Sequence, residues 1–300
     1  MLKHYLQEMF EPTLLYGLSL AVLGIAASAY YGHFSLLYAI LIILGTVLAQ
    51  MSANVISDYF DYSSGLDREL ARNKSDNLSG GSSLIADGMI KPSYALALGV
   101  AIFLCAGMIG AYLVYVRIQV LPILVIAALS IFTYSKYVKK VPFMSEQLCT
   151  LNYVLISFGS FIVVSGIPSL TYALIFSFVP AGIMLGGNAL FVNEVPDKDI
   201  DGKYGIKHSA VMLKTGKRIG AYYLGFQALA YMILLAGIAI REIPSLSLAG
   251  LIVLPVTAYV FNGLYNEDRQ RYGEYLRAHT WASFAFALIL SASYIIALRI

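Results

Sequence analysis

Two acidic clusters, each placed where a long apolar stretch meets a polar loop, hold the residues best suited to chemistry. The first runs Asn54-Val-Ile-Ser-Asp58-Tyr-Phe-Asp61 and continues to Gly65-Leu66-Asp67. The second runs Asn193-Glu194-Val-Pro-Asp197-Lys-Asp-Ile-Asp201-Gly202. Asn54, Asp58 and Asp61 are spaced i, i+4, i+7 and share one helical face, and Asp197 and Asp201 repeat the i, i+4 step. Asp67 follows Gly65, where a helix should break, and is a candidate loop ligand. Asp199 lies off the Asp197/Asp201 face and reads as solvated. Carboxylates are costly near hydrocarbon, so acids placed there face a cavity, a partner or a cation. Hard divalent cations such as Mg²⁺ take oxygen ligands and bridge a few carboxylates to substrate phosphates. The clusters therefore point to a diphosphate held through metal, with Asn54, Asp58, Asp61, Asp67, Asn193, Asp197 and Asp201 as candidate ligands.

A calcium-loop alternative is excluded by one residue. Asp197-Lys-Asp199-Ile-Asp201-Gly202 matches the opening of an EF-hand, but the twelfth position, which must be a bidentate Glu, is His208.

The elements that must position these acids are membrane helices. The chain is 59% hydrophobic and 12% charged, with a mean hydropathy of +0.74, about half the charged share of a soluble domain. Nine stretches approach the roughly 20 residues needed to span hydrocarbon: 12–31, 35–57, 93–115, 118–134, 149–167, 171–193, 219–240, 246–264 and 279–298. The first is too long, and too poorly flanked by basic residues, for a cleaved signal peptide. The fold expected is an all-α polytopic bundle of nine transmembrane helices, one domain over 1–300, with a cap of loops around a central cavity.

The loops alternate in length and charge. Long loops at 58–92, 135–148, 194–218 and 265–278 share one side with the N-terminus. Of the 20 Lys and Arg, only Arg117, Arg241 and Arg299 fall on the other. The positive-inside bias puts the long loops in the cytoplasm and the protein in the cell membrane. All 17 acids except Glu242 lie on that same side, so both clusters belong to one chemically equipped face. Solvated helix ends would explain one such cluster but not two, each beginning with Asn. The clusters end helices two and six, consistent with a pseudo-duplicated bundle. A net charge of +3 is too small to argue for nucleic acid. Cys105 and Cys149 read as small apolar residues, and the sequons at Asn73 and Asn77 as chance matches in cytoplasmic loops.

Cationic groups follow each cluster: Arg68, Arg72 and Lys74, then Lys198, Lys203 and Lys207, while the middle loop adds Lys136, Lys139 and Lys140. Bound phosphates need charge beyond what a metal supplies. Arg72, Lys74, Lys136, Lys203 and Lys207 are the candidates for that role. Ser79-Gly-Gly-Ser-Ser83 offers backbone N–H groups to a phosphate oxygen. Tyr59, Tyr62 and Tyr134, near cytoplasmic helix ends, offer aromatic faces that stabilise a carbocation.

Over essentially its full length the chain resembles the UbiA superfamily of intramembrane aromatic prenyltransferases. The resemblance rests on nine helices, the Asn54-x3-Asp58 motif running through Asp61 to Asp67, and the Asn193-Glu-x2-Asp197-x3-Asp201 motif. Lys203-Tyr-Gly205-Ile-Lys207-His-Ser209 adds the family's basic-Gly-basic-hydroxyl stretch. Within the family the first loop resembles the menaquinone branch through Gly65-Leu-Asp67 and Ser79–Ser83 followed by Gly88. It lacks the Arg-Pro-rich stretch usual in the 4-hydroxybenzoate and archaeal ether-lipid branches. Two positions depart from the menaquinone pattern. Ser57 stands where many members have Asn, and the loop from Tyr134 to Glu146 lacks a Gly-rich stretch.

The resemblance implies that two Mg²⁺ ions, held by Asn54, Asp58 and Asp61 on one side and by Asp197 and Asp201 on the other, bind an allylic polyprenyl diphosphate. It further implies transfer to an aromatic acceptor, 1,4-dihydroxy-2-naphthoate, with Asp58, Asp61, Asp197, Asp201 and Tyr134 catalytic and the tail in a groove open to membrane lipid. Two rivals fit less well. A CDP-alcohol phosphotransferase has one compact acidic motif with Gly directly after an Asp, whereas Tyr62 follows Asp61. A secondary transporter places its acids near the midplane on broken helices, and these sit at one boundary.

Overall fold

The computed structural model describes residues 13–67, 70 and 84–298, and these form helices and connecting loops without a strand. Nine apolar helices follow in order: α1 (Thr13–Tyr30), α2 (Leu36–Ser64), α3 (Pro92–Val116), α4 (Leu121–Thr133), α5 (Ser145–Ser165), α6 (Tyr172–Glu194), α7 (Gly216–Ala239), α8 (Ser245–Tyr265) and α9 (Arg269–Ala297). Eight are long and apolar enough to cross a bilayer. The segment of α4, Ile118–Thr133, is shorter. Among the described residues eight helices are thus long enough to span, against the nine expected, and the remaining segment is a shorter apolar helix. The protein is a multi-pass membrane protein.

Helix ends fall where backbone chemistry sets them. Ser35 caps α2 by accepting from the Tyr38 N–H at 3.4 Å, and Gly65, at φ 88°, closes it with an N–H to the Tyr62 carbonyl. Only glycine enters that left-handed region without a Cβ penalty. The helix therefore runs seven residues past the expected end at 57, keeping Asn54, Asp58 and Asp61 on one continuous face. α9 likewise begins well before the expected 279, because Tyr272 and Tyr275 are buried against α8 and α7.

α1 occupies a central place, packing against α2, α5 and α9. The α1–α5 approach is close. A Cβ at Gly24 would fall on the Ser157 carbonyl oxygen and the Ser160 side chain, and Ser157 donates to the Leu20 carbonyl at 3.0 Å. Small residues at a helix crossing let backbones meet where lipid supplies no hydrophobic drive. α2 packs on α3, and α5 through α9 pack in chain order.

α6 is irregular at the point that matters. Pro180 sits inside it, and Ile183–Asn188 forms a π-turn. A π-turn adds one residue to the helical register and so re-aims the turn that follows it. That turn carries Asn193 and Glu194.

Candidate active site

Both acidic clusters open onto a single cavity of about 1440 Å³. Asn54, Asp58, Asp61 and Asp67 line it from α2 and the turn after it; Asn193, Asp197 and Asp201 line it from the end of α6 and the following loop. Asp67, Asp197 and Asp201 are buried. The Asp201 N–H bonds the Asp197 carbonyl at 2.9 Å, so the second pair sits on one helical turn, as its spacing required. Asp199 is exposed and pairs with Arg269 at 3.3 Å. On α2 the lining runs from Asp61 back to Ile42, about 28 Å at 1.5 Å per residue. Beyond the acids the walls turn apolar, with Ile109, Leu113, Val120, Ile123 and Val163 around the deep part.

Asn54 is less available than its position in the motif implies. Its side-chain oxygen accepts from Gln50 at 3.1 Å and from Thr13 at 3.3 Å, and its amide donates back to Thr13 at 3.1 Å. Tyr153 in turn donates to Gln50 at 3.4 Å. An amide oxygen has two lone pairs, and here both are used. A metal bond to Asn54 would require one of these hydrogen bonds to break. In this arrangement Asn54 ties α1 to α2.

The cation facing the acids is Lys139. Its Nζ lies 2.6 Å from Asp61 Oδ2 and 5.3 Å from the centre of the Tyr134 ring. Burial acts against its charge, but the Asp61 carboxylate, through charge and hydrogen bond, outweighs burial and raises the ammonium pKa above its usual value. Tyr134 lines the cavity and makes a long hydrogen bond, 3.5 Å, to Glu194. Burial first, then nearby acids including Glu194 and Asp61, holds its phenol well above the usual range, so it remains a neutral aromatic surface.

His208 lines the cavity and is 1% exposed. Its Nδ1 accepts from the Val211 N–H at 3.4 Å, which leaves Nε2–H to donate to Asp201 at 2.7 Å. The residue that excludes a calcium loop thus orients one of the acids. Glu146 braces the same loop by accepting from the Ser209 N–H at 2.9 Å.

Three of the lysines expected to bind diphosphate do not line the cavity in this structure. Lys136, Lys203 and Lys207 are exposed and lie outside the cavity wall. Lys136 turns onto the Tyr137 ring, 5.1 Å away. In the loop after the second cluster Ile206 and His208 face inward, which leaves Lys207 pointing out. Its backbone still matters: the Lys207 N–H bonds the Lys139 carbonyl at 2.7 Å, and the Phe143 N–H bonds the Lys207 carbonyl at 3.3 Å. Arg68, Arg72, Lys74 and the stretch Ser79–Ser83 lie outside the described residues.

Sequence reasoning missed Glu194, Gln50, Thr13 and Arg277 as wall residues. Gln50 had a readable signal, since Gln50, Asn54 and Asp58 continue one i, i+4 row. Six carboxylates (Asp58, Asp61, Asp67, Glu194, Asp197, Asp201) line the cavity among the described residues, against two permanent cations, Lys139 and Arg277. Such an excess of acid calls for cations. The clusters offer oxygen donors only, the set a hard cation prefers. Among the described residues no three of His, Cys, Asp and Glu stand close enough to form a ready cage. Mg²⁺ takes one or two carboxylates and completes its shell with water and substrate phosphate.

The chain matches the sequence model of the UbiA prenyltransferase family over residues 18–287. It belongs to that family. A search of curated protein sequences finds no match. Among solved structures the fold is similar to the apo UbiA homolog of Aeropyrum pernix K1, with a TM-score of 0.69 and 19% identity, covering 94% of this chain and 97% of that one. It is similar to a digeranylgeranylglyceryl phosphate synthase, with a TM-score of 0.62 and 18% identity, covering 100% and 99%. A UbiA homolog from Archaeoglobus fulgidus, solved with DMAPP and Mg²⁺, has a TM-score of 0.57 and 17% identity, covering 95% and 99%.

Proposed function

We propose that this UbiA-family protein transfers a polyprenyl group from an allylic polyprenyl diphosphate to 1,4-dihydroxy-2-naphthoate, on the cytoplasmic side of the cell membrane, as one domain over residues 1–300. The observation that carries this reading is the opening of both acidic clusters onto one cavity that continues as a long apolar bore. The bore suits an isoprenoid tail, and the acids suit its diphosphate. The homolog solved with DMAPP and Mg²⁺ supports the same pairing of ligands.

Asp58 and Asp61 on one side, and Asp197 and Asp201 on the other, are the residues that would hold Mg²⁺, with Asp67 and Asn193 in the same cavity wall. When bound, Mg²⁺ neutralises charge growing on the departing diphosphate. Lys139 adds fixed positive charge beside Asp61. Tyr134 presents a neutral ring at the head of the bore, suited to an adjacent carbocation. The apolar walls keep water from that cation. The allylic C–O bond breaks with its electron pair leaving on diphosphate. The ring carbon bearing the carboxylate forms the new C–C bond. The carboxylate leaves as CO₂ and returns its electron pair to the ring, giving the demethylmenaquinone skeleton.

A second reading, another acceptor such as 4-hydroxybenzoate or geranylgeranylglyceryl phosphate, is favoured by one contact. The two departures from the menaquinone pattern meet: Ser57 Oγ lies 2.7 Å from Ser135 Oγ, and Ser57 lines the cavity. In the same loop Phe143 adopts φ 60°, the region glycine enters freely. Purified protein with Mg²⁺, geranylgeranyl diphosphate and an acceptor panel, read by mass spectrometry, decides between them. Prenylation of the naphthoate with loss of its carboxylate is expected. Rapid transfer to another acceptor with none to the naphthoate would overturn the acceptor assignment and leave the reaction class standing.

A further inference from the structure

The last helix gives the cavity a face that the metal and tail chemistry leaves unused. Arg277, Thr280 and Trp281 stand at i, i+3 and i+4 on α9, on one side of the helix, and all three line the cavity. Tyr16 of α1 donates to Thr280 at 2.8 Å, which fixes this face against the wall that carries Thr13. Arg277 is exposed, and its charge acts on Glu274, three residues before it. Its neighbour Glu274 is engaged by Arg271 at 2.8 Å. Trp281 is the only tryptophan in the chain and is 60% exposed.

Of the two permanent cations on the described wall, Lys139 is paired with Asp61, while Glu274, the acid one turn before Arg277, has its ion pair with Arg271. A guanidinium fork matches the two oxygens of a carboxylate or phosphate. An exposed indole one turn away offers a flat apolar surface to the body of the same molecule. A cation and an aromatic plate on one helix face, in a cavity otherwise rich in acid, are the two halves of a site for an organic anion.

We infer that Arg277 and Trp281 form the acceptor subsite, with Arg277 binding the acceptor's carboxylate or phosphate and Trp281 covering its apolar body. This rests on the prenyltransferase reading above, and it assigns the acceptor to the α9 wall. A carboxylate held this way is lost only after the new C–C bond has made its carbon part of a β-keto acid, so anchoring precedes decarboxylation. Arg277 and Trp281 then decide which acceptors enter: anions with a flat or apolar body.

The unique tryptophan supplies a direct readout. In wild-type protein without donor or metal, titration with 1,4-dihydroxy-2-naphthoate should change Trp281 fluorescence saturably. Arg277→Gln should weaken that binding at least about tenfold, the loss expected for a charge-assisted hydrogen bond, and Arg277→Lys by less. With saturating donor, Arg277→Gln should raise the acceptor KM by a similar factor, while the KM for a neutral naphthalenediol without the carboxylate moves far less. A parallel arm with geranylgeranylglyceryl phosphate tells carboxylate from phosphate: the anion the subsite serves is the one whose binding depends on Arg277.

No saturable fluorescence change with either anion would overturn the inference. So would an acceptor KM unchanged in Arg277→Gln, which would mark Arg277 and Trp281 as anchors at the membrane surface. A rise confined to the donor KM would also overturn it, by assigning Arg277 to the diphosphate. Absence of product from the wild type with every acceptor would instead defeat the prenyltransferase reading, and the fluorescence titration keeps that failure distinct.

Discussion

Asp58 on α2 and Asp197 in the loop after α6 face one space, and the proposed diphosphate site would give them the same task. Asp58→Asn or Asp197→Asn should each lower transfer by about two orders of magnitude or more, the loss seen when one strong electrostatic group is removed from a reaction centre. Folded protein, checked by its thermal transition in detergent, with near-normal turnover in either variant would leave that cluster without a catalytic role. His208 acts one step further out, by orienting Asp201. His208→Ala should weaken Mg²⁺ binding by roughly 10- to 100-fold, the usual cost of losing such a supporting hydrogen bond, whereas His208→Gln, which keeps a donor, should lose less. Equal binding by the two variants would remove the orienting role. The acids were legible in the sequence because a helical repeat and a membrane boundary together restrict what a carboxylate can do there. Lys139 was not separable from Lys136, Lys203 and Lys207, since which lysine of a loop turns inward depends on the path of the loop, and no periodicity encodes it.

At the scale of helices, small residues set both the packing and the bore. Gly24→Val should destabilise the bundle by at least about 1–3 kcal/mol, since its side chain would displace the α5 backbone at Ser157; a thermal midpoint matching wild type would show that the α1–α5 approach tolerates spreading. Gly159 lines the bore, and a Cβ there would rest against Ile123 at 3.6 Å. Gly159→Leu should therefore shift donor preference toward shorter prenyl diphosphates while sparing transfer from the shortest, as read by competition between donors of different length. The nine apolar segments were visible from composition alone. Their ends were not: α2 and α9 extend past their apolar stretches, because helix continuation there depends on the Gly65 cap and on tertiary burial of Tyr272 and Tyr275. The π-turn in α6 left no periodic signal, although Pro180, Gly186 and Gly187 mark the region as irregular.

For the whole molecule, a shared site requires both clusters at the same end of the bundle. Single cysteines at Asp87 and Lys203, on a background with Cys105 and Cys149 replaced, should label from the cytoplasmic side alone. Labelling from opposite sides would separate the loops that the shared cavity joins. Whether the two clusters make one diphosphate site is decided by binding of geranylgeranyl diphosphate to the purified protein, with Mg²⁺ and with EDTA. Wild type should show Mg²⁺-dependent binding that is lost in EDTA and weakened strongly by Asp58→Asn and by Asp197→Asn alike. Wild-type binding in a folded Asp197→Asn variant, or binding to wild type that is indifferent to EDTA, would contradict a single metal-bridged site.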